Sequence, residues 1–230
     1  MPDNAPIELE FSNKYDHQHS LQYLQKHRTG LARRLSNWRD QTLARHALKI
    51  AGDPASVLDL PCGAGRFWPL LAEKVDRTIL AADNSADMVQ VAMQAQPAAI
   101  TARVNAFQTS AFAIDLENDA VDCIFCMRLL HHIARPEHRL AMLREFHRVT
   151  RDTLILSLWV DGNYKAWKRQ RLEQRRAQRQ ADGGNNNRFV VARQVIEKEF
   201  AEAGFTIIAH QDFLPGYAMW RIYTLRKKLG

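Results

Sequence analysis

Two acidic residues and a glycine turn are the strongest chemical feature of the sequence. The apolar run Ser56–Leu60 contains Asp59 and leads into Pro-Cys-Gly-Ala-Gly at 61–65, and Asp83 ends a second apolar run 18 positions after Gly65. Glycines in such a turn let the backbone approach a ligand without a Cβ clash. In open α/β sheets ligands bind at the carboxyl ends of the strands, where Asp83 can accept hydrogen bonds from ribose hydroxyls. The pattern therefore predicts a nucleoside-binding turn.

The carboxylates favour a cationic cofactor over a dinucleotide. A dinucleotide turn needs a third glycine, which here is the large Trp68, and Asp59 would lie unfavourably close to a pyrophosphate. S-adenosylmethionine carries an ammonium and a sulfonium and no phosphate, so it suits an acidic turn. A nicotinamide-dependent oxidoreductase and a glycine turn without a ligand remain as less favoured alternatives.

Apolar runs alternate with amphipathic stretches over the first two thirds of the chain. The predicted strands are Ser56–Leu60, Thr78–Ala82, Ile100–Ala106, Val121–Met127 and Thr153–Val160, and the predicted helices between them are Arg66–Lys74, Ala86–Gln94 and Pro136–Val149. Strands that are apolar throughout and separated by helices indicate a parallel sheet covered on both faces.

The last third of the chain changes this pattern. It predicts a basic helix Asn163–Gln180, a polar loop Asp182–Asn187, a helix Arg193–Ala203 and the strands Phe205–Gln211 and Ala218–Leu225. The connection around Pro215-Gly216 is so short that the last two strands must be antiparallel. We therefore expect an α/β fold with a Rossmann-like, seven-stranded, mostly parallel sheet, an antiparallel last strand and helices on both faces.

The chain divides at Gly52-Asp53-Pro54, a strong break in the helical pattern. We expect a helical extension over 1–50, one domain over 51–230 and a basic helical insertion at about 161–190. No apolar run approaches the roughly 18 residues needed to span a membrane. The polar, acidic N-terminus does not look like a signal peptide, so a cytoplasmic location is expected.

Four segments resemble the motifs of class I S-adenosylmethionine-dependent methyltransferases. VLDLPCGAGRF at 57–67 is similar to their first motif, with Pro61 where glycine is commoner, and AADNSADM at 81–88 is similar to their second-strand motif. TSAFAIDLENDAVD at 109–122 resembles the adenine-binding segment, with Ser110 in place of the usual Asp, and CIFCMRLLHHI at 123–133 resembles the fourth-strand motif. The likeness covers about residues 50–160.

The resemblance implies a set of cofactor-binding residues. They are Asp59, Pro61, Cys62, Gly63, Ala64, Gly65, Asp83, Asn84, Met88, Ser110, Ala111, Phe112 and Cys126. Among them Asp83 is implied to bind the ribose, with Asn84 and Met88 flanking the adenosine. Ser110 would accept from the adenine amino group without a charge.

Two residues after the fourth strand are candidate catalytic groups. His131 could act as a general base for a hydroxyl acceptor, because imidazole titrates near neutrality. His132, in the same stretch, is a second candidate, and the alternative is that one of the two histidines packs against the following helix and caps backbone groups. Arg128 could hold an acidic acceptor or pair with a surface carboxylate.

The cysteines do not indicate a metal or redox site. Cys123 and Cys126 are three apart on one strand and must point to opposite faces, so they cannot readily share an ion. We expect Cys126 to line the cofactor pocket and Cys62 to pack within the glycine turn. No metal site is predicted.

The basic residues are concentrated in Lys165–Arg179, which carries seven of them and one acid, a net +6 of the chain's +7. This helix is either a solvated face or an anion-binding element for RNA, a lipid headgroup or a phosphorylated sugar. Trp159, Tyr164, Arg188 and Phe189 give a faint likeness to some tRNA wobble-uridine methyltransferases.

The leading hypothesis is methyl transfer from S-adenosylmethionine to a small-molecule or lipid-precursor acceptor at oxygen, nitrogen or carbon, and an anionic acceptor would suit the basic helix. The first alternative is a tRNA methyltransferase that binds RNA through Lys165–Arg179. The second is a non-catalytic protein that binds the adenosine cofactor.

Overall fold

A computed structural model describes residues 31–178 and 188–228 and contains one seven-stranded sheet. The strands are β1 Ser56–Asp59, β2 Thr78–Asp83, β3 Val104–Gln108, β4 Val121–Cys126, β5 Thr150–Trp159, β6 Phe205–Asp212 and β7 Trp220–Lys227. The helices are α1 Leu31–Ile50, α2 Trp68–Leu71, α3 Ala86–Ala95, α4 Ala98–Thr101, α5 Pro136–Val149, α6 Tyr164–Gln178 and α7 Arg193–Glu202. A short 3₁₀ turn covers Leu130–His132.

The strand order is β3-β2-β1-β4-β5-β7-β6. Strands β1 to β5 pair in parallel, and β7 pairs antiparallel with both β5 and β6. The predicted α/β fold, with a mostly parallel sheet and an antiparallel last strand, is confirmed. The order reverses between β1 and β4, which places the switch point of the sheet beside the glycine turn.

The two faces of the sheet bury separate apolar clusters. One cluster packs Phe146 of α5 and Phe200 of α7 against the sheet, and the other packs Ala47 of α1 and the ring of Trp68. Cys126 belongs to the first cluster and Cys123 to the second. This confirms that the two thiols point to opposite faces.

The predicted helix Arg66–Lys74 is wrong in length, since only α2 is helical there. The carbonyl groups that would accept the backbone hydrogen bonds of a longer helix accept hydrogen bonds from arginine side chains instead. Arg77 Nη1 donates to the Leu71 carbonyl at 2.9 Å, and Arg103 Nη1 donates to the Ala72 carbonyl at 2.6 Å. These hydrogen bonds satisfy the carbonyl groups at the C-terminus of α2. The chain can therefore leave the helix there and turn towards β2.

The predicted strand Ile100–Ala106 also needs correction. Its first residues lie in α4, and β3 starts only at Val104. Pro97 precedes this helical turn, and its carbonyl accepts from the N–H groups of Ile100 and Thr101. The local turn thereby removes the first apolar residues of the run from the sheet.

Helix α1 packs its second half into the core, where Leu43, Ala44 and Ala47 are buried. The domain division at residue 50 nevertheless stays a prediction. The predicted helical pattern before residue 31, the helix end at 179–180 and the loop at 182–187 lie outside the described residues. No helix within 31–178 or 188–228 is both long and apolar enough to cross a membrane.

Candidate functional site

The predicted site residues converge on one edge of the sheet. Asp59 ends β1, Asp83 ends β2 and Cys126 ends β4, and these parallel neighbours finish on the same side. The segment that contains Ser110 follows β3 and is tied to β2 by the Thr109 N–H, which donates to the Asp83 carbonyl at 3.0 Å. The topology therefore gathers the four motif segments.

Asp83 organises the glycine turn. Its Oδ2 accepts from the Gly63 N–H at 3.0 Å, and its Oδ1 accepts from the Ser85 N–H at 3.1 Å. Gly63 and Gly65 have φ angles of +51° and +68°, in the left-handed region that favours glycine. Each carboxylate oxygen keeps a second acceptor position, so Asp83 can also bind two hydroxyls.

Asp59 is a buried carboxyl with an unsatisfied oxygen. Its Oδ2 has no hydrogen-bond partner among the described residues. Burial raises the pKa of Asp59 well above its usual value, and the charge of Asp83 raises it further. The indole of Trp68 offsets part of this shift without forming a hydrogen bond of normal geometry. A bound cation would stabilise the ionised form, so these two carboxylates fit the ammonium and sulfonium of S-adenosylmethionine.

The remaining predicted cofactor residues surround this pair. Met88 lies beneath the turn, with its Cε 3.7 Å from the position that a Cβ on Gly63 would take. The Oγ of Ser110 accepts from the Phe112 N–H at 3.2 Å, which orders the segment predicted to bind adenine. Within the set, the buried members are Cys62, Ala64, Gly65, Met88, Ala111 and Cys126, the partly buried ones are Pro61, Gly63, Ser110 and Phe112, and Asn84 is exposed. Burial raises the pKa of the Cys126 thiol and keeps it neutral.

Asp40 of α1 is a site residue that the sequence interpretation missed. It is buried, and it accepts from Arg66 Nη2 at 2.6 Å and from Arg128 Nη2. It thus connects the glycine turn to the loop after β4. The only sequence signal was that Asp40 is the single acid in the basic stretch 31–50.

The ion pair with Asp40 defines the position of Arg128. Arg128 has a φ of +65°, and its backbone N–H donates to the Ser157 Oγ at 2.9 Å. Its guanidinium also lies 4.7 Å from the ring centre of Trp220. Of the two predicted roles, the structure shows a carboxylate pair, but with the buried Asp40 instead of a surface carboxylate, and a role in holding the acceptor stays a prediction.

Replacing Asp40 with alanine should destabilise the protein by about 1–3 kcal/mol, because two largely enclosed guanidiniums lose their carboxylate. The Glu73→Ala variant is the matched control. It removes an acid that pairs with Arg45 of the same helix, but both of those side chains are more than 40% exposed, so it should cost at most about 1 kcal/mol. Equilibrium denaturation of both variants gives the comparison, and equal losses would contradict a bridging role for Asp40.

His131 lies among aromatic rings rather than in an open site. Its ring centre is 5.1 Å from that of Trp159 and 4.7 Å from that of Trp220. Burial, followed by the positive charges of His132, Arg188 and Arg128, lowers the pKa of His131 to about 2. A neutral imidazole of such low basicity accepts a proton poorly at neutral pH. Its role as a general base stays a prediction that this environment does not favour.

The described part of the basic helix places cations on aromatic rings. Arg169 lies 5.1 Å from the ring centre of Trp159, Arg171 lies 4.7 Å from that of Trp167, and Lys165 lies 5.2 Å from that of Tyr217. Lys165 and Arg171 are nevertheless exposed, as are the rings of Trp167 and Tyr217, so the described part of this helix is largely a solvated face. Beside them is an open cleft of about 610 Å³, lined by Asp161, Gly162, Asn163, Tyr164, Trp167, Gln170 and Gly216.

Comparison with known families agrees with this geometry. Residues 57–153 match a family described as a methyltransferase domain. An uncharacterized methyltransferase of Schizosaccharomyces pombe is 30% identical over 117 residues, and the match covers 50% of this chain and 43% of that protein. A second protein of that yeast, an uncharacterized methyltransferase-like protein, is 30% identical over 109 residues. The chain spans less than half the length of these curated relatives.

Solved structures show the same fold at low identity. Magnesium protoporphyrin IX methyltransferase from Synechocystis, crystallised with S-adenosylhomocysteine, aligns with a TM-score of 0.73 at 16% identity over 96% of this chain and 100% of that one. A putative sarcosine dimethylglycine methyltransferase from Galdieria sulphuraria aligns with a TM-score of 0.64 at 14% identity, over 83% and 86% of the two chains. At these identities the likeness concerns the fold.

The fold and the motif-bearing edge define a Rossmann-like methyltransferase domain. Residues 57–153 match a methyltransferase-domain family, and the fold of the chain is that of solved methyltransferases crystallised with S-adenosylhomocysteine or S-adenosylmethionine. S-adenosylmethionine is the cofactor of this class.

Proposed function

We propose that this chain transfers the methyl group of S-adenosylmethionine to a small-molecule or lipid-precursor acceptor at the carboxyl edge of its sheet. The observation that supports it most is the enclosed acidic pair, in which Asp59 keeps a buried, unsatisfied oxygen next to Asp83. A bound cationic nucleoside would supply a partner for the unsatisfied Asp59 oxygen. Its positive charge would also lower the free energy cost of ionising two adjacent buried carboxyl groups. The cofactor-binding residues predicted from the sequence are proposed to act together there.

For this reaction the protein mainly has to align the acceptor atom with the methyl carbon of the cofactor. When bound, the sulfonium supplies an activated methyl carbon. The chain's own part is to hold the nucleoside with Asp59 and Asp83, to keep water out and to orient the acceptor. Fixing reactants in line can supply about 7–11 kcal/mol of the barrier. No protein nucleophile is needed for this displacement.

We also propose that residues 51–230 form the catalytic domain, with 1–50 as a helical extension and about 161–190 as an insertion. Nothing specific favours the tRNA alternative over a small acceptor: among the described cations of the basic helix, Lys165, Arg169 and Arg171 lie on aromatic rings and Lys168 is exposed. The cytoplasmic location expected from the sequence stays a prediction.

Isothermal calorimetry with S-adenosylmethionine and S-adenosylhomocysteine tests the proposal, followed by incubation of labelled cofactor with fractionated cell extract. We expect binding of both nucleosides and label in a metabolite or lipid fraction. Absence of binding would refute the proposal. Tight binding without a labelled product from any fraction would instead favour a non-catalytic binding protein.

The acidic pair predicts a specific pH dependence. Burial raises the pKa of both Asp59 and Asp83, so the cofactor-free protein loses stability as pH rises through these raised values. A bound ammonium favours the ionised carboxylates. The affinity for a nucleoside that carries an ammonium should therefore increase as the pH rises. We expect S-adenosylhomocysteine to bind about tenfold more tightly at about pH 8 than at about pH 5.

Calorimetry at both pH values measures this difference. The Asp59→Asn variant is the control, because its amide does not titrate and should flatten most of the dependence. An affinity that falls with rising pH in the unaltered protein would contradict a cationic ligand at this pair.

A further inference from the structure

A compact group of aromatic and cationic side chains lies beside the proposed cofactor site. Trp159 at the end of β5 and Trp220 at the start of β7 face each other in the sheet register, and their ring centres are 5.6 Å apart. His131 contacts both indoles, and the Arg188 guanidinium lies 5.9 Å from the ring centre of Trp159. We call these four residues the indole cluster. They occupy the carboxyl edge of the sheet, where ligands of this fold class bind.

Two polar atoms of the indole cluster are buried without a partner. The Nε1 of Trp159 and the Nδ1 of His131 have no hydrogen bond among the described residues. Leaving a buried donor or acceptor unsatisfied costs about 1–3 kcal/mol, and few such groups persist in folded proteins. An indole N–H can only donate, so the missing partner of Trp159 is an acceptor atom.

The charge around the indole cluster is positive. Arg128 pairs with Asp40, and Arg169 pairs with Glu173. Arg188 is exposed, and the described residues supply no carboxylate partner for its guanidinium. The cluster therefore has a donor N–H and one surplus guanidinium on the same indole, which together suit an anionic acceptor group.

The surroundings also limit how the acceptor can lose a proton. His131 lies against two indoles and near arginines, and the nearby carboxylates of Asp40 and Glu173 are engaged by arginines. None of these groups is placed to serve as a general base. A further imidazole beside the cluster is that of the partly buried His132, whose ring centre lies 4.0 Å from that of His131. An acceptor that is already deprotonated at neutral pH removes the need for one.

We propose that the indole cluster binds the carboxylate of the acceptor and that the methyl group is transferred to a carboxylate oxygen. This inference rests on the proposed function and names its substrate class. The acceptor oxygen attacks the methyl carbon, the carbon–sulfur bond breaks with its electron pair left on sulfur, and the products are a methyl ester and S-adenosylhomocysteine. No proton is transferred.

The charges support this assignment in two ways. A planar carboxylate can accept from the Arg188 fork and from the Trp159 N–H together, whereas a phosphate dianion exceeds the single surplus charge. Reaction also joins an anion with a sulfonium and leaves two neutral groups, which is favoured beside the buried Trp159 N–H, where water is excluded. The neutral ester then loses its attraction to Arg188, which favours release.

A binding experiment tests the recognition step without turnover. Benzoate and its neutral analogue benzamide are titrated into protein saturated with S-adenosylhomocysteine, and tryptophan fluorescence is followed. We expect benzoate to bind at least about tenfold more tightly than benzamide, with benzoate affinity reduced about tenfold by Arg188→Gln and about fivefold by Trp159→Phe. The Phe ring keeps the packing and removes only the N–H.

Arg226→Gln is the matched control, since this half-exposed arginine lies at the opposite end of β7 and pairs with Asp152. It should leave benzoate affinity unchanged. Equal affinity for benzoate and benzamide, or equal effects of Arg188→Gln and Arg226→Gln, would overturn the inference. Tighter binding of phenyl phosphate than of benzoate would overturn the carboxylate assignment as well.

The chemical stability of the product tests the transfer step. Labelled S-adenosylmethionine is incubated with the protein and a small-molecule extract, and the product is treated with mild alkali. A methyl ester should release its label as volatile methanol, while methyl groups on nitrogen, carbon or ether oxygen stay attached and would overturn the inference. Failure of S-adenosylhomocysteine to bind would refute the proposed function itself, so the two failures are distinguishable.

Discussion

The Asp83→Ala variant should bind S-adenosylhomocysteine at least about 100-fold more weakly than the unaltered protein. Asp83 is proposed to accept two ribose hydroxyls, and hydrogen bonds to a charged group contribute about 1.5–3 kcal/mol each. The same carboxylate holds the Gly63 N–H at 3.0 Å and the Ser85 N–H at 3.1 Å, so its removal also releases the glycine turn. Calorimetry measures the loss directly.

Two further variants separate these contributions. Asp83→Asn keeps the size and one acceptor oxygen, so we expect a smaller loss of about tenfold. Asp87→Ala removes a neighbouring acid in the first turn of α3 and should leave the affinity within about twofold, since it only changes the field at a helix end. If Asp83→Ala and Asp87→Ala weaken binding equally, Asp83 is not a ribose ligand.

The Gly65→Ala variant should lose about 3 kcal/mol of stability together with measurable nucleoside binding. A Cβ at this position would lie 2.8 Å from the Trp68 ring, and that ring is fully buried and cannot move aside. The left-handed φ of +68° adds a further cost of about 1–2 kcal/mol for any residue with a Cβ. The turn would have to shift, and the approach of its backbone to the cofactor would be lost.

Gly216→Ala isolates the backbone cost from the steric one. Gly216 has nearly the same φ, +69°, but a Cβ there meets nothing within 4 Å. We expect it to lose only about 1–2 kcal/mol and to keep its affinity for S-adenosylhomocysteine. Thermal or denaturant unfolding of both variants gives the difference, and equal losses would show that the contact with Trp68 is unimportant.

The sequence alone was sufficient for the features that depend on local pattern. Apolar runs separated by amphipathic stretches predicted the parallel strands, and the short turn at Pro215-Gly216 predicted the antiparallel pair. Asp59 and Asp83 could be found because each ends a strand, and parallel strands end on one edge. Boundaries were less certain where side chains from elsewhere decided them, as Arg77 and Arg103 did at the end of α2.

Only the tertiary structure decided how distant side chains combine. Asp40 reaches Arg128 across 88 positions of the chain, and a lone acid in a basic helix does not indicate its partners. His131 was a reasonable base from its type and place, but its pKa depends on the indoles and arginines that the fold packs around it. Local pattern determines which elements form, whereas burial and electrostatics at the site depend on long-range packing.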